Sequence, residues 1–191
     1  QITAAPADET ACLTFSCSGY EEMGLWMSAN LREKLSGKLE YSVGGGEWTP
    51  IMSSEFDAYN KFWIVFGGSH GDLRLRGKSS IGTAEVGDVT TIEFWEQEHD
   101  VTCTGDIRTL IDWENYETVS TSNARCGHLF SDCGTLISAP NLPATDLATY
   151  CYDCMFYNCS TLVDGPDELP ATHLPKNCYD CMFYNCKKME N

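Results

Sequence analysis

Eleven cysteines are the side chains of this sequence best equipped for chemistry, and four of them form two Cys-x-x-Cys pairs, Cys151/Cys154 and Cys178/Cys181. That spacing suits a four-thiolate zinc site, in which the sulfurs converge to Zn–S bonds of ~2.3 Å. His70, His99, His128 and His173 offer bases for a thiolate nucleophile, but no recognisable nucleophile motif surrounds them. An odd number of cysteines rules out complete intramolecular pairing. Cys12 and Cys17, if they share one extended strand, stand ~17 Å apart and cannot bridge. Burial as small hydrophobes accounts for the remaining thiols without invoking reactivity. The expectation is therefore a non-catalytic protein with no cofactor and mostly reduced cysteines, with zinc held by Cys151, Cys154, Cys178 and Cys181 as the alternative.

These cysteines sit in a repeat, which decides what must position them. Residues Cys151 to Cys159 recur unchanged as Cys178 to Cys186, a displacement of 178 − 151 = 27, and Ala124 to Cys133 is a weaker copy that aligns Phe130 with Phe156 and His128 with Cys154 at 26. Pro140 to Pro166 is also 26 whereas Leu142 to Leu169 is 27, so the extra residue enters between Pro166 and Leu169. Periods of this length belong to leucine-rich repeats, whose units bury an apolar face only by stacking. Within a unit, Leu136 to Leu142 reads as a short strand, while Leu147, Cys151, Met155 and Cys159 recur every fourth residue and predict a short helix.

The first hundred residues carry a different period. Leu13 to Phe15, Leu39 to Val43, Leu73 to Arg76 and Thr91 to Phe94 alternate apolar with polar, as half-buried strands do. Gly44-Gly45-Gly46 predicts a tight hairpin, since no following helix or Lys supports a phosphate-cradling loop. Trp26, Trp48, Trp63, Trp95 and Trp113 are expected to fill the β core, with a sugar-stacking role as the alternative.

Charge narrows the partners. With 28 acidic and 12 basic residues the chain carries −16, and neither residues 1–113 (8 basic, 18 acidic) nor 114–191 (4 basic, 10 acidic) hides a basic domain, so nucleic acid is an unsuitable partner. The longest apolar run, Phe62 to Phe66, is far shorter than the ~20 residues of a membrane span, so membrane insertion is not expected. Gln1 at the start suggests an upstream leader removed by processing, and the absence of a strand after Cys186 suggests that Asn191 is not a natural end of the stack.

Cys133, Leu136, Ala139-Pro140, Leu142-Pro143-Ala144-Thr145, Leu147, Cys151-Tyr152 and Met155-Phe156 together resemble the units of the BspA-like leucine-rich-repeat surface proteins of Bacteroidetes, and the second unit repeats the pattern from Cys159 to Phe183. Val101 to Ile111 looks like the connector that such proteins place before their repeats, and Leu39 to Pro50 like their β-hairpin. The sequence departs from the family pattern at Asn158 and Asn185, where Gly is frequent, and at the additional Cys154 and Cys181. The resemblance implies an exported protein, at the cell surface or extracellular, with adhesive or binding roles and no catalytic residues.

The expected architecture is mainly β with short helices: an N-terminal β-sandwich-like domain over 1–100, a connector over 101–123, and repeats over 124–191. Leu136, Leu142, Leu162 and Leu169 should face the core, leaving Ser138, Asn141, Asp164, Asp167 and Glu168 on an acidic ligand-binding face. The leading expectation is recognition or adhesion through a protein ligand, basic in character. A glycan bound by the aromatic residues is the alternative, and a structural role in a surface or virion assembly is another. Self-association through the C-terminal repeat edge is a further possible contact.

Overall fold

A computed structural model describes residues 9–189. The expectations about the start at Gln1 and the end at Asn191 lie outside the described residues. The protein is mainly β, with two sheets and two short α-helices among the described residues. In chain order the elements are β1 (Leu13–Cys17), β2 (Glu21–Met27), α1 (Ala29–Leu35), β3 (Leu39–Val43), β4 (Thr49–Pro50), β5 (Lys61–Phe66), β6 (Leu73–Gly77), β7 (Thr90–Phe94), β8 (Val101–Thr104), α2 (Thr109–Asp112) and β9 (Leu136–Ser138).

A six-stranded sheet runs β4-β3-β6-β1-β8-β9 and a three-stranded sheet runs β5-β2-β7, with every pairing antiparallel except β8 with β9. Alternation decides which side chains go inward. Leu13 and Phe15, Leu73 and Leu75, Met23 and Leu25, Phe62 and Ile64, and Ile92 and Phe94 are all buried. Phe15 meets Phe94 at 6.0 Å and Tyr41 meets Phe62 at 5.6 Å, which joins the two sheets face to face. The hairpin between β3 and β4 turns on Gly44 (φ 59°) and Gly45 (φ 74°), and a side chain at Gly44 would strike the His70 carbonyl. Ser28 caps α1 by accepting the Leu31 amide at 3.2 Å, and Leu31 and Leu35 anchor that helix to the core.

Neither the sheet nor the core stops near residue 100. β8 lies between β1 and β9, Asp106 and Asn141 form a further parallel bridge, and Ser138 bridges to Asp164. Segments 101–106, 136–141 and 164 thus extend one sheet sideways into the repeats. Phe15 also touches Phe130 at 6.2 Å, so one hydrophobic cluster spans both regions.

The helices expected within the repeats do not form. Residues 149–158 and 176–185 are successive turns instead, and a left-handed residue recurs every fourth position: Tyr150, Cys154 and Asn158, then Asn177, Cys181 and Asn185. The cause lies in the period. An apolar spacing of four matches a four-residue turn better than the 3.6 of an α-helix, and Asn tolerates positive φ. Alternate amides are thereby freed to bond the next unit. Cys126, His128, Phe130 and Asp132 donate to the carbonyls of Cys151, Asp153, Met155 and Tyr157, and Tyr150, Tyr152, Cys154, Phe156 and Asn158 donate to Lys176, Cys178, Asp180, Met182 and Tyr184, all at 2.7–3.0 Å. The turns are laddered as strands would be.

Candidate functional site

Four of the five residues expected on the ligand face line one cleft of about 520 Å³. Ser138, Asn141, Asp164 and Asp167 stand there with Thr104 and Gly105 from the end of β8. Glu168 lies in an adjoining hollow with Asn141, Asp167, Asp106 and Arg108. Parallel pairing produces this convergence, because the bridges Asp106 to Asn141 and Ser138 to Asp164 set successive segments side by side.

The side chains in the cleft differ in freedom. Ser138 is committed to the fold: its Oγ accepts the Cys103 amide and donates to the Cys103 carbonyl, both at 3.1 Å, beside the irregular step between β8 and β9. Asn141 is fixed through its backbone, which accepts from Ile107 and donates to Gly105, while its side chain is exposed. Arg108 is claimed by Asp106 at 2.7 Å, and that carboxylate holds the guanidinium pKa above its ordinary value. Asp164, Asp167 and Glu168 are exposed and form no ion pair among the described residues. The cleft and its adjoining hollow therefore present three carboxylates outside any ion pair among the described residues. Leu136, Leu142 and Leu162 point inward as expected, but Leu169 is 39% exposed. It follows the extra residue of the second unit, which shifts it out of the inward column.

The cysteines separate by depth. No disulfide joins any of the eleven among the described residues. Cys151 and Cys178 are buried, Cys154 is half-buried and Cys181 is exposed, and these four do not gather into one group among the described residues. Cys133, Cys159 and Cys186 form an inner column in which each thiol donates to a main-chain carbonyl, of Ile92 (3.0 Å), Phe130 (2.9 Å) and Phe156 (3.0 Å) respectively. Burial pushes the Cys159 thiol up to about 12 and that of Cys133 well above its ordinary value. Such thiols are poor nucleophiles. What does converge is His128 with Asp153 and Cys154, whose donor atoms lie within 4.8 Å of one another.

The tryptophans correct the core expectation. None of the five is fully buried. Trp63 and Trp95 meet edge to face at 5.7 Å on the outer surface of the three-stranded sheet, where Trp95 is 61% exposed. Gly24 leaves room there, since a side chain on it would strike the Trp63 ring. Trp48 and Trp113 enclose Arg76, whose guanidinium carbon stands 4.0 Å and 3.7 Å from their ring centroids. Arg76 also bonds Glu40 at 2.7 Å and Glu9 at 3.1 Å. Alternation could have flagged these positions, because Lys61, Trp63 and Val65 are out of phase with the inward Phe62, Ile64 and Phe66. The apolar character of the run concealed that phase.

At the open end of the ladder, the amides of Tyr179, Cys181, Phe183 and Asn185 make no backbone hydrogen bond among the described residues. No helix among the described residues is long and apolar enough to cross a membrane. In comparisons with protein families, curated proteins and solved structures, the chain matches no family model, no curated protein and no solved structure.

Proposed function

We propose that this protein is an exported, surface-displayed recognition or adhesion module, in which a β-sandwich-like domain leads into a short BspA-like leucine-rich-repeat solenoid that binds a basic protein segment on its acidic face. The observation that carries this reading is the convergence of Asn141, Asp164, Asp167 and Glu168 on adjoining hollows in which three carboxylates lack a protein cation. Such a surface attracts cationic chains from a distance and contributes more to encounter rate than to final affinity. The test is titration with a Lys/Arg-rich peptide at several salt concentrations. Binding that weakens as salt rises, and that falls at least tenfold in the triple variant Asp164→Ala, Asp167→Ala, Glu168→Ala, supports the proposal. Those substitutions should change stability by no more than about 1 kcal/mol, because each carboxylate is exposed and unpaired. Unchanged peptide affinity in the folded triple variant would sink it.

One observation favours a second reading, glycan binding. Trp63 and Trp95 are displayed on the outer sheet face beside Lys61 and Glu93, which pair at 2.5 Å. Aromatic rings flanked by polar groups offer sugars both a stacking surface and hydrogen bonds. Glycan-array binding by the full chain, lost in Trp95→Ala, would move the functional surface from the repeats to this sheet.

A further inference from the structure

We propose that His128, Asp153 and Cys154 form a binding site for a divalent transition-metal ion of zinc's class, with Cys181 as the fourth donor. The site differs from the four-cysteine set suggested by the Cys-x-x-Cys spacing, because the turn geometry sends Cys151 and Cys178 inward and leaves only the second cysteine of each pair near the surface.

Translation along the ladder builds the site. His128, Cys154 and Cys181 are equivalent residues in successive units, and all three are left-handed, with φ of 61°, 50° and 48°. The His128 amide donates to the Asp153 carbonyl and the Cys154 amide to the Asp180 carbonyl, both at 2.8 Å, which locks the units in register at this point. The residue equivalent to Asp153 in the first unit is Gly127. Even a Cβ there would come within 3.1 Å of the Asp153 carbonyl oxygen, and its absence leaves that side of the cluster open.

The spacing is within reach of shared metal coordination. His128 Nε2 lies 3.9 Å from Asp153 Oδ2, too far for a hydrogen bond, and the Cys154 thiol donates to Asp153 Oδ1 at 3.7 Å. Metal–ligand bonds of 2.0–2.3 Å place tetrahedral donors about 3.3–3.8 Å apart, so modest side-chain rotation suffices. Cys181 holds the equivalent place one unit on, where its thiol donates to Asp180 Oδ1 at 3.6 Å, and the Cys154 amide bonded to the Asp180 carbonyl sets the two units side by side, which brings a fourth donor to the edge of the group. One nitrogen, one carboxylate oxygen and two sulfurs make a borderline-soft set suited to zinc and cobalt rather than to calcium or magnesium. His128 and Asp153 also line a hollow of about 370 Å³, which gives a hydrated ion a path in.

Cobalt(II) titration of the reduced, full chain without oxygen tests the proposal, because tetrahedral thiolate coordination produces both visible d–d bands and a sulfur-to-cobalt charge-transfer band. The expected result is saturation at one ion per chain, loss of the charge-transfer intensity from Cys154 in Cys154→Ser, at least tenfold weaker binding in His128→Ala and Asp153→Asn, and an unaltered titration in Cys17→Ser. Circular dichroism identifies any variant that fails to fold. Should Cys154→Ser fail, His128→Ala and Asp153→Asn decide the matter. Absence of a charge-transfer band in the parent protein, or full cobalt affinity in folded His128→Ala, would overturn the site. Unchanged affinity in Cys181→Ser would remove that residue as fourth donor.

Discussion

Phenylalanine rings in the two-sheet region meet rings from unrelated positions at an angle, whereas those in the repeats meet their own equivalents one unit away face to face. Phe15 and Phe94 are inclined at 59°, and Phe66 and Phe94 at 54°. Phe130, Phe156 and Phe183 lie within 2° of parallel at 5.3 Å and 5.6 Å. In the sandwich, side-chain shape selects the partner. In the stack, the backbone ladder imposes a translation, and each side chain must be compatible with itself one unit away. Side-chain amides obey the same rule: Asn185 donates to Asn158, which donates to Asp132 at 2.7 Å. A core position in the sandwich is thus fitted once, and one in the repeats is fitted in a column.

The sharpest way to break that contrast is to compare one column at two heights. Phe156 is buried between two rings and Phe183 is half-buried against one. Phe156→Ala is expected to cost about 3–5 kcal/mol and Phe183→Ala about half as much, read from urea denaturation. Equal losses would mean that the column does not act through its neighbours.

The second comparison uses pH. A thiol whose folded-state pKa is raised contributes stability that is whole below its unfolded value and is lost as pH climbs toward the folded one. The ordinary value is 9.0, and burial lifts Cys126 to about 11 and Cys151 and Cys159 to about 12, with Cys133 also raised. All four lie in the repeats, against Cys103 alone among the resolved shifts of the sandwich cysteines. Stability should therefore begin to fall above pH 9, by about 1 kcal/mol per thiol and roughly 5 kcal/mol for the four together at pH 10. Hydrogen exchange should show the repeat amides losing protection before those of β2 and β5. Simultaneous loss in both regions would erase the distinction.

The smallest effect probes the sandwich's angular style of packing. Arg76→Lys keeps the charge but gives up the planar group held between Trp48 and Trp113 and its geometry toward Glu40 and Glu9. It should cost about 1–2 kcal/mol by thermal or urea unfolding. A neutral outcome would show that charge alone matters there.

The parts of this fold legible in the sequence were those with a short period. Leu39 to Val43, Leu73 to Arg76 and Thr91 to Phe94 announced strands by alternation, and three glycines announced a hairpin. Displacements of 26 and 27 announced the stacking, down to the pairing of Phe130 with Phe156. The spacing of Leu147, Cys151, Met155 and Cys159 satisfies a turn of four as well as a helix, and Asn158 and Asn177 carry the sequence mark of the left-handed backbone that decides between them. The displacement of 26 aligns His128 with Cys154, yet the approach of His128 to Asp153 depends on the offset between adjacent units, which no single-unit pattern contains. The acidic cleft was partly legible: alternation and charge named its residues, but the hydroxyl of Ser138 is taken by Cys103 at a step in the β8–β9 pairing that leaves no local mark.

The verbatim identity of 151–159 and 178–186 poses a problem of folding register. Either tract offers the segment Ala124 to Cys133 the same nine side chains, so the chain could skip a unit while it assembles. Skipping lengthens the loop after Cys133 from 17 to 44 residues, a penalty of only about 0.8 kcal/mol in closure entropy. Discrimination must come from outside the identical tract. Arg125 donates to the Thr149 carbonyl at 2.8 Å and Ser120 to the Asp146 carboxylate at 3.1 Å, whereas the positions 27 residues further on are Lys176 and His173. A slipped chain would set Arg125 against a like charge and deprive Ser120 of its acceptor. Two residues just ahead of the repeated nine thus proofread the alignment of the whole stack.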